Sequence, residues 1–144
     1  MNFTLIKQID EALERKIISY FLQSKPYSFC HLPSRFLSVM KIKEYVQFLL
    51  DNCFVYVGRD FFIALTIKKE TAIVEFLFGS AFTIINHFKQ FRLQFKRENP
   101  EVNVFFSEIQ RIHKRDKLIR MIKQRDENAE IKLDNQKICV LWNT

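Results

Sequence analysis

Three apolar stretches follow one another between Cys53 and Phe78 with almost nothing between them: Cys53 to Gly58, Phe61 to Lys68 and Thr71 to Phe78. Gly58-Arg59-Asp60 and Lys69-Glu70 leave room only for tight turns, so the three must pair as an antiparallel meander. An isolated meander has two faces to cover and two edges to protect. The rest of the chain must therefore supply helices that pack on it and strands that extend it.

The flanking sequence reads that way. Phe3 to Ile6 is a short strand. Ile9, Leu13, Ile17 and Phe21 then recur at helical spacing, with Asp10 and Glu11 at the electropositive helix start. Lys25-Pro26 stops that helix, and residues 26–37 (PYSFCHLPSRFL) carry no period, which predicts a packed loop. Ser38 is placed to cap a second helix that turns Val39, Ile42, Val46 and Leu49 to one side. After the meander, Ala81, Ile84, Ile85, Phe88, Phe91 and Phe95 form a helical stripe ending near Asn99-Pro100, with the interleaved Lys and Arg residues outward. Val102 to Phe106 is apolar enough to predict a central strand covered on both faces. His113 to Gln124 is a last helix with Leu118, Ile119 and Ile122 inward. Ile131 to Leu133 and Ile138 to Trp142 flank Asp134-Asn135 and close a terminal hairpin.

This is a single α+β domain over residues 1–144, and composition narrows what it can do. With 16 Phe the chain has ample apolar surface for a core, while 2 Gly and 3 Pro are too few for a glycine-rich phosphate loop. Cys30, Cys53 and Cys139 lack CxxC spacing, and His31, His87 and His113 lack ligand spacing, so neither a disulfide framework nor a metal site is expected. No apolar run reaches the roughly 20 residues of a membrane span, and the early acidic residues do not suit a signal peptide. The reading is a cytoplasmic protein that does not enter the membrane. The net charge of +7 is concentrated in Lys89, Arg92, Lys96, Arg97, Arg111, Lys114, Arg115, Lys117, Arg120, Lys123 and Arg125. Such a field suits a phosphate-bearing ligand, a nucleic acid docking on residues 89–125, or simply a solvated face of two helices.

The order strand, helix, helix, three-strand meander, helix, strand, helix, hairpin resembles the GNAT (Gcn5-related N-acetyltransferase) fold across nearly the whole chain. The stretch from Thr71 to Gln124, TAIVEFLFGSAFTIINHFKQFRLQFKRENPEVNVFFSEIQRIHKRDKLIRMIKQ, carries the resemblance best. It implies a central mixed sheet of about seven strands, mostly antiparallel and flanked by four helices. Strands 71–78 and 102–107 should splay apart to admit acetyl-CoA. The pantetheine arm would pair with the backbone of Leu77 and Phe78, and the pyrophosphate would meet Gly79, Ser80, Ala81 and Thr83 at the next helix start. The family's Gln/Arg-x-x-Gly-x-Gly/Ala turn is reduced here to Gly79-Ser80-Ala81, and the tyrosine often found in its last core helix is missing from residues 113–124. The reduced motif, with Arg111-Ile112-His113-Lys114 and Leu118-Ile119, resembles the minimal GNAT-like proteins of phages, in which case the setting is host cytoplasm or virion.

The activity so implied is acyl-CoA-dependent transfer of an acetyl group to an amine. Glu75, alone among apolar residues on the strand lining the cleft, is the candidate base; the alternative is an edge carboxylate beside Lys68 or Lys69. His113, with Ser107 and Glu108 as its rivals, is a second catalytic candidate or local helix-start structure, and His87 is a flanking histidine or a base. A silent scaffold of the same fold with a protein partner, such as a phage accessory or virion component, is the rival class. It predicts a cleft filled by Phe76, Phe78 or Phe105.

Overall fold

The computed structural model describes residues 3–22, 29–30, 39–78, 81–109, 115–134 and 137–143. Its elements run β1 (Thr4–Ile6), α1 (Glu11–Leu22), β2 (Phe29–Cys30), α2 (Val39–Asn52), β3 (Phe54–Gly58), β4 (Phe61–Lys68), β5 (Thr71–Phe78), α3 (Ala81–Glu98), β6 (Val104–Ile109), α4 (Arg115–Arg125), β7 (Glu130–Asp134) and β8 (Lys137–Asn143). Seven strands form one sheet in the order β1-β3-β4-β5-β6-β8-β7, and β2 pairs with β5 off that path. Every pairing is antiparallel except β5 with β6, which is parallel and bridged by α3.

The meander is as expected, and its turns explain themselves. Asp60 and Lys69 take positive φ of 54° and 59°, the left-handed geometry that lets two-residue connections match strand twist. Gly58 is required for a different reason. A Cβ there would come within 2.8 Å of the Phe3 ring, which is buried against Phe61 and Phe91. Phe3 is held at its backbone too: Gln94 on α3 donates to its carbonyl at 2.8 Å and accepts from its N–H at 3.2 Å. A side-chain amide thus stands in for a strand neighbour at the sheet's end.

Two cores form on opposite faces. Phe88, Phe91 and Phe95 of α3 and Leu118 and Ile122 of α4 cover Tyr56, Phe61, Ile63, Leu65, Phe105, Val140 and Trp142. Ile17 and Tyr20 of α1 and Ile42, Val46 and Leu49 of α2 cover Val55, Phe62, Ala64 and Phe76. Asp10 caps α1, its Oδ1 accepting from the Leu13 N–H at 2.7 Å.

Four expectations need correcting. The strand expected over residues 102–106 runs from Val104 to Ile109. Phe105 and Ser107 on its α3/α4 face are buried, while Val104 and Phe106 on the other face are half-buried, so the described residues cover that second face only in part. Within the expected loop at residues 26–37, Phe29 and Cys30 form β2, and the other residues of that loop lie outside those described. Arg92 does not point outward; it is 7% exposed. Its guanidinium bonds Asp126 at 2.7 Å and lies 4.7 Å and 5.3 Å from the ring centres of Phe88 and Trp142. Burial lowers the guanidinium pKa from its ordinary value, and the Asp126 contact opposes that shift.

Candidate functional site

The parallel pair β5–β6 is joined at one end only. Its register covers Thr71↔Val104, Ala72↔Phe105 and Ile73↔Phe106, and then stops. The closed end is tied from three directions. The Asn103 N–H donates to the Glu70 carbonyl at 2.8 Å, and the Asn103 side chain donates to the Glu70 carboxylate at 3.0 Å. The Lys96 ammonium from the end of α3 reaches Pro100 O, Val102 O and Asn103 Oδ1.

Beyond Ile73 the strands part for a reason visible in β5 itself. Against β4, Leu65 faces Val74 but Ala64 faces Phe76, so Glu75 is an extra residue in the ladder. Such a bulge bends its strand and increases local twist. It also resets the side-chain phase: Ala72, Val74 and Leu77 enter the α3/α4 core, while Phe76 enters the α1/α2 core. The bend carries β5 away from β6 just before α3 begins at Ala81.

Glu75 therefore sits where the splay opens. It is half-buried, and the Thr66 hydroxyl donates to its Oε1 at 3.0 Å. Its charge is felt by Cys53, whose thiol is pushed up to about 11 by burial first and by Glu75 second. A thiol with that pKa holds little thiolate at pH 8, about 100-fold less than one titrating at 9. Alkylation of Cys53 by iodoacetamide, followed by peptide mass spectrometry, is expected to be correspondingly slow at pH 8. It should accelerate as pH rises through about 11, and unfolding should abolish the delay.

The other sequence candidates are distributed as follows. Leu77 is fully buried and lies in register with Ile63 of β4 on one edge and with Phe29 of β2 on the other. Phe78 pairs with Phe62, and its ring stacks on Tyr20 at 4.2 Å. Ala81 and Thr83 lie in the first turn of α3. Gly79, Ser80 and His113 lie outside the described residues. His87 is half-buried, and among the described residues its Nδ1 has no hydrogen-bond partner. Ser107, 1% exposed on β6, has an Oγ in the same condition. The sequence signal for Ser107 is a hydroxyl inside an otherwise apolar strand.

The basic face is thinner than the sequence suggests, because Arg92 and Lys96 are engaged inside the fold. Lys89, Arg97, Lys117, Arg120, Lys123 and Arg125 remain exposed. No group of metal-ligating side chains occurs among the described residues, and none of their helices is long and apolar enough to cross a membrane.

A mixed sheet whose one parallel pair splays at a bulge, with a helix bridging the pair, decides the architecture. The fold is that of the GNAT N-acetyltransferases. The N-acetyltransferase PseH of Campylobacter jejuni superposes with a TM-score of 0.65 at 9% identity, over 99% of this chain and 97% of that one. The GNAT domain of PAT from S. lividans does so with a TM-score of 0.62 at 13% identity, over 99% of this chain and 89% of that one. MccE, a microcin C7 self-immunity acetyltransferase whose structure holds acetyl-CoA and AMP, matches with a TM-score of 0.54 at 9% identity, over 99% and 92%. At such identities the likeness to the GNAT fold is one of architecture. No protein-family model matches the sequence, and no curated protein matches it significantly.

Proposed function

We propose that the chain is an acyl-CoA-dependent N-acyltransferase with a pared-down cofactor loop, moving an acetyl group from acetyl-CoA to an amine. One observation carries this reading: β5 parts from β6 at a bulge holding a half-buried carboxylate, directly ahead of a helix N-terminus. That arrangement offers an extended backbone edge to the amides of a pantetheine arm. The helix start offers free N–H groups and a positive dipole end to a pyrophosphate. The cofactor residues would be Leu77, Phe78, Gly79, Ser80, Ala81 and Thr83.

In the reaction, the amine nitrogen bonds to the thioester carbonyl carbon, the C–S bond breaks, and CoA leaves as thiolate. Glu75 would take the proton that the attacking amine loses. Backbone N–H groups freed by the bulge would stabilise the oxyanion. His113 would be the proton donor to the departing sulfur, on the strength of the sequence alone.

A second reading is favoured by one observation. The opening between β5 and β6 already holds β2, which suits a scaffold that has lost its cofactor. Phe76 and Phe105, the expected fillers, are instead buried in the two cores.

Calorimetric titration with acetyl-CoA at moderate salt, with free CoA and ATP as controls, separates the two. Micromolar binding that prefers acetyl-CoA is the expected result. Absence of heat with all three ligands would leave the silent scaffold.

A further inference from the structure

The bulge that divides the sheet leaves its own carboxylate without a cross-strand neighbour. In an unbroken ladder Glu75 would stand opposite Ala64, but Ala64 faces Phe76, and no residue of β4 lies in register with Glu75. A glutamate has many rotamers, whereas a general base acts only within hydrogen-bond reach of the proton it takes. Some other group must limit where this carboxylate goes.

Thr66 is that group. It pairs with Ile73, two residues before Glu75. Ala64 enters the α1/α2 core and Leu65 the α3/α4 core, so alternation along β4 turns Thr66 to the α1/α2 face. From this diagonal position its hydroxyl donates to Glu75 Oε1 at 3.0 Å. A threonine side chain is stiff about its first bond, and β4 is paired on both edges, with β3 and with β5. The donor is therefore fixed by the sheet itself. β4 flanks β5 on the edge away from β6, so the bond draws the carboxylate toward β4 and out of the gap where β5 and β6 part. Cys53, which precedes β3 and packs against the α1/α2 core, feels the charge of Glu75 on that side.

We infer that Thr66 is a positioning residue for acyl transfer: its hydroxyl holds the Glu75 carboxylate on the α1/α2 face, beside the gap that would take the acyl-CoA arm. The inference rests on the acyltransferase reading, since it concerns how the base of that same site is held. The amine then meets the base from the α1/α2 face and gives up its proton there, while the thioester lies between the strands. A carboxylate has about four lone-pair sites on its two oxygens, so one bond from a hydroxyl steadies the group without using up its capacity to accept a proton.

Thr66→Val keeps the shape of the side chain and removes the donor. With an amine that the native chain acetylates, kcat is expected to fall about 10–100-fold, the scale of a misplaced catalytic group, while the Kd for acetyl-CoA holds. Thr66→Ser restores the hydroxyl and should recover most of the loss. In a Glu75→Gln background Thr66→Val should lower kcat no further, because Thr66 acts only through that carboxylate. Thermal melts check that each variant folds. A Thr66→Val protein that turns over like the native chain would overturn the inference and leave the acyltransferase reading in place. A native chain that acetylates no amine of the panel would bring down both.

The position of the carboxylate can also be read without turnover. Releasing Glu75 from Thr66 changes its distance from Cys53, so Thr66→Val should alter the rate of Cys53 alkylation at pH 8 about twofold or more. The same substitution in the Glu75→Gln background should leave that rate unchanged. An equal rate in native and Thr66→Val proteins would mean that the carboxylate stays in place without the hydroxyl, and the positioning role would be lost.

Discussion

Replacing Asp126 with alanine is expected to destabilise the protein by about 3–5 kcal/mol, among the largest single-site losses available to it. The reason is the position of Arg92. Its side chain is 8% exposed, its guanidinium lies against the Phe88 and Trp142 rings, and Asp126 is its anionic partner at 2.7 Å. Removing the carboxylate leaves a guanidinium that cannot shed its proton and has no route back to water. Asp126 closes α4, where its N–H bonds Ile122 O, so the pair also pins that helix end to α3. Chemical denaturation followed by circular dichroism measures the loss. The control is decisive: in an Arg92→Met background the same Asp126→Ala change should cost far less, because no buried charge remains to be stranded. A small loss in the native background would show that water reaches Arg92 after all.

That residue also marks where sequence reading ends. The meander was legible because its information is local: Asp60 and Lys69 sit in turns whose flanking strands are too close to pair any other way. The Phe88–Phe91–Phe95 stripe was legible because helical geometry maps spacing onto a face. Arg92 follows Phe91 by one residue, which places it at the stripe's margin, and helical spacing alone turned it to solvent. Its burial depends on Asp126 and Trp142, far away in the chain. The Glu75 bulge was hidden for a related reason. Residues 72–78 face apolar cores on both sides, so a slip in alternation leaves hydrophobic residues wherever one looks. β2 was the least legible element, since two residues carry no period and its partner edge exists only because the bulge bends β5. Glu75 itself was found from sequence, as a lone carboxylate in an apolar strand. What the sequence did not supply was its partner Thr66 and its electrostatic reach to Cys53.

The largest functional effect is expected at Glu75. If Glu75 accepts the proton of the attacking amine, Glu75→Gln should lower kcat by about 10²–10⁴ with whichever amine in a panel is acetylated. The Kd for acetyl-CoA should hardly move, since the cofactor is gripped by backbone in this reading. Glutamine keeps the shape of the side chain and an oxygen to accept the Thr66 hydroxyl, so stability should change by less than about 1 kcal/mol. Cys53 supplies an internal check that the charge has gone. Glu75 is the second cause of its raised pKa, so the thiol should titrate lower in the variant while burial keeps it above 9. Faster alkylation of Cys53 together with unchanged turnover would mean that the charge was removed and catalysis did not need it. The base would then have to be sought elsewhere, with His87 first, because its half-buried ring presents an Nδ1 that has no partner among the described residues. Faster alkylation with lost turnover and intact acetyl-CoA binding would place the proton transfer at the bulge, the point where the sheet divides.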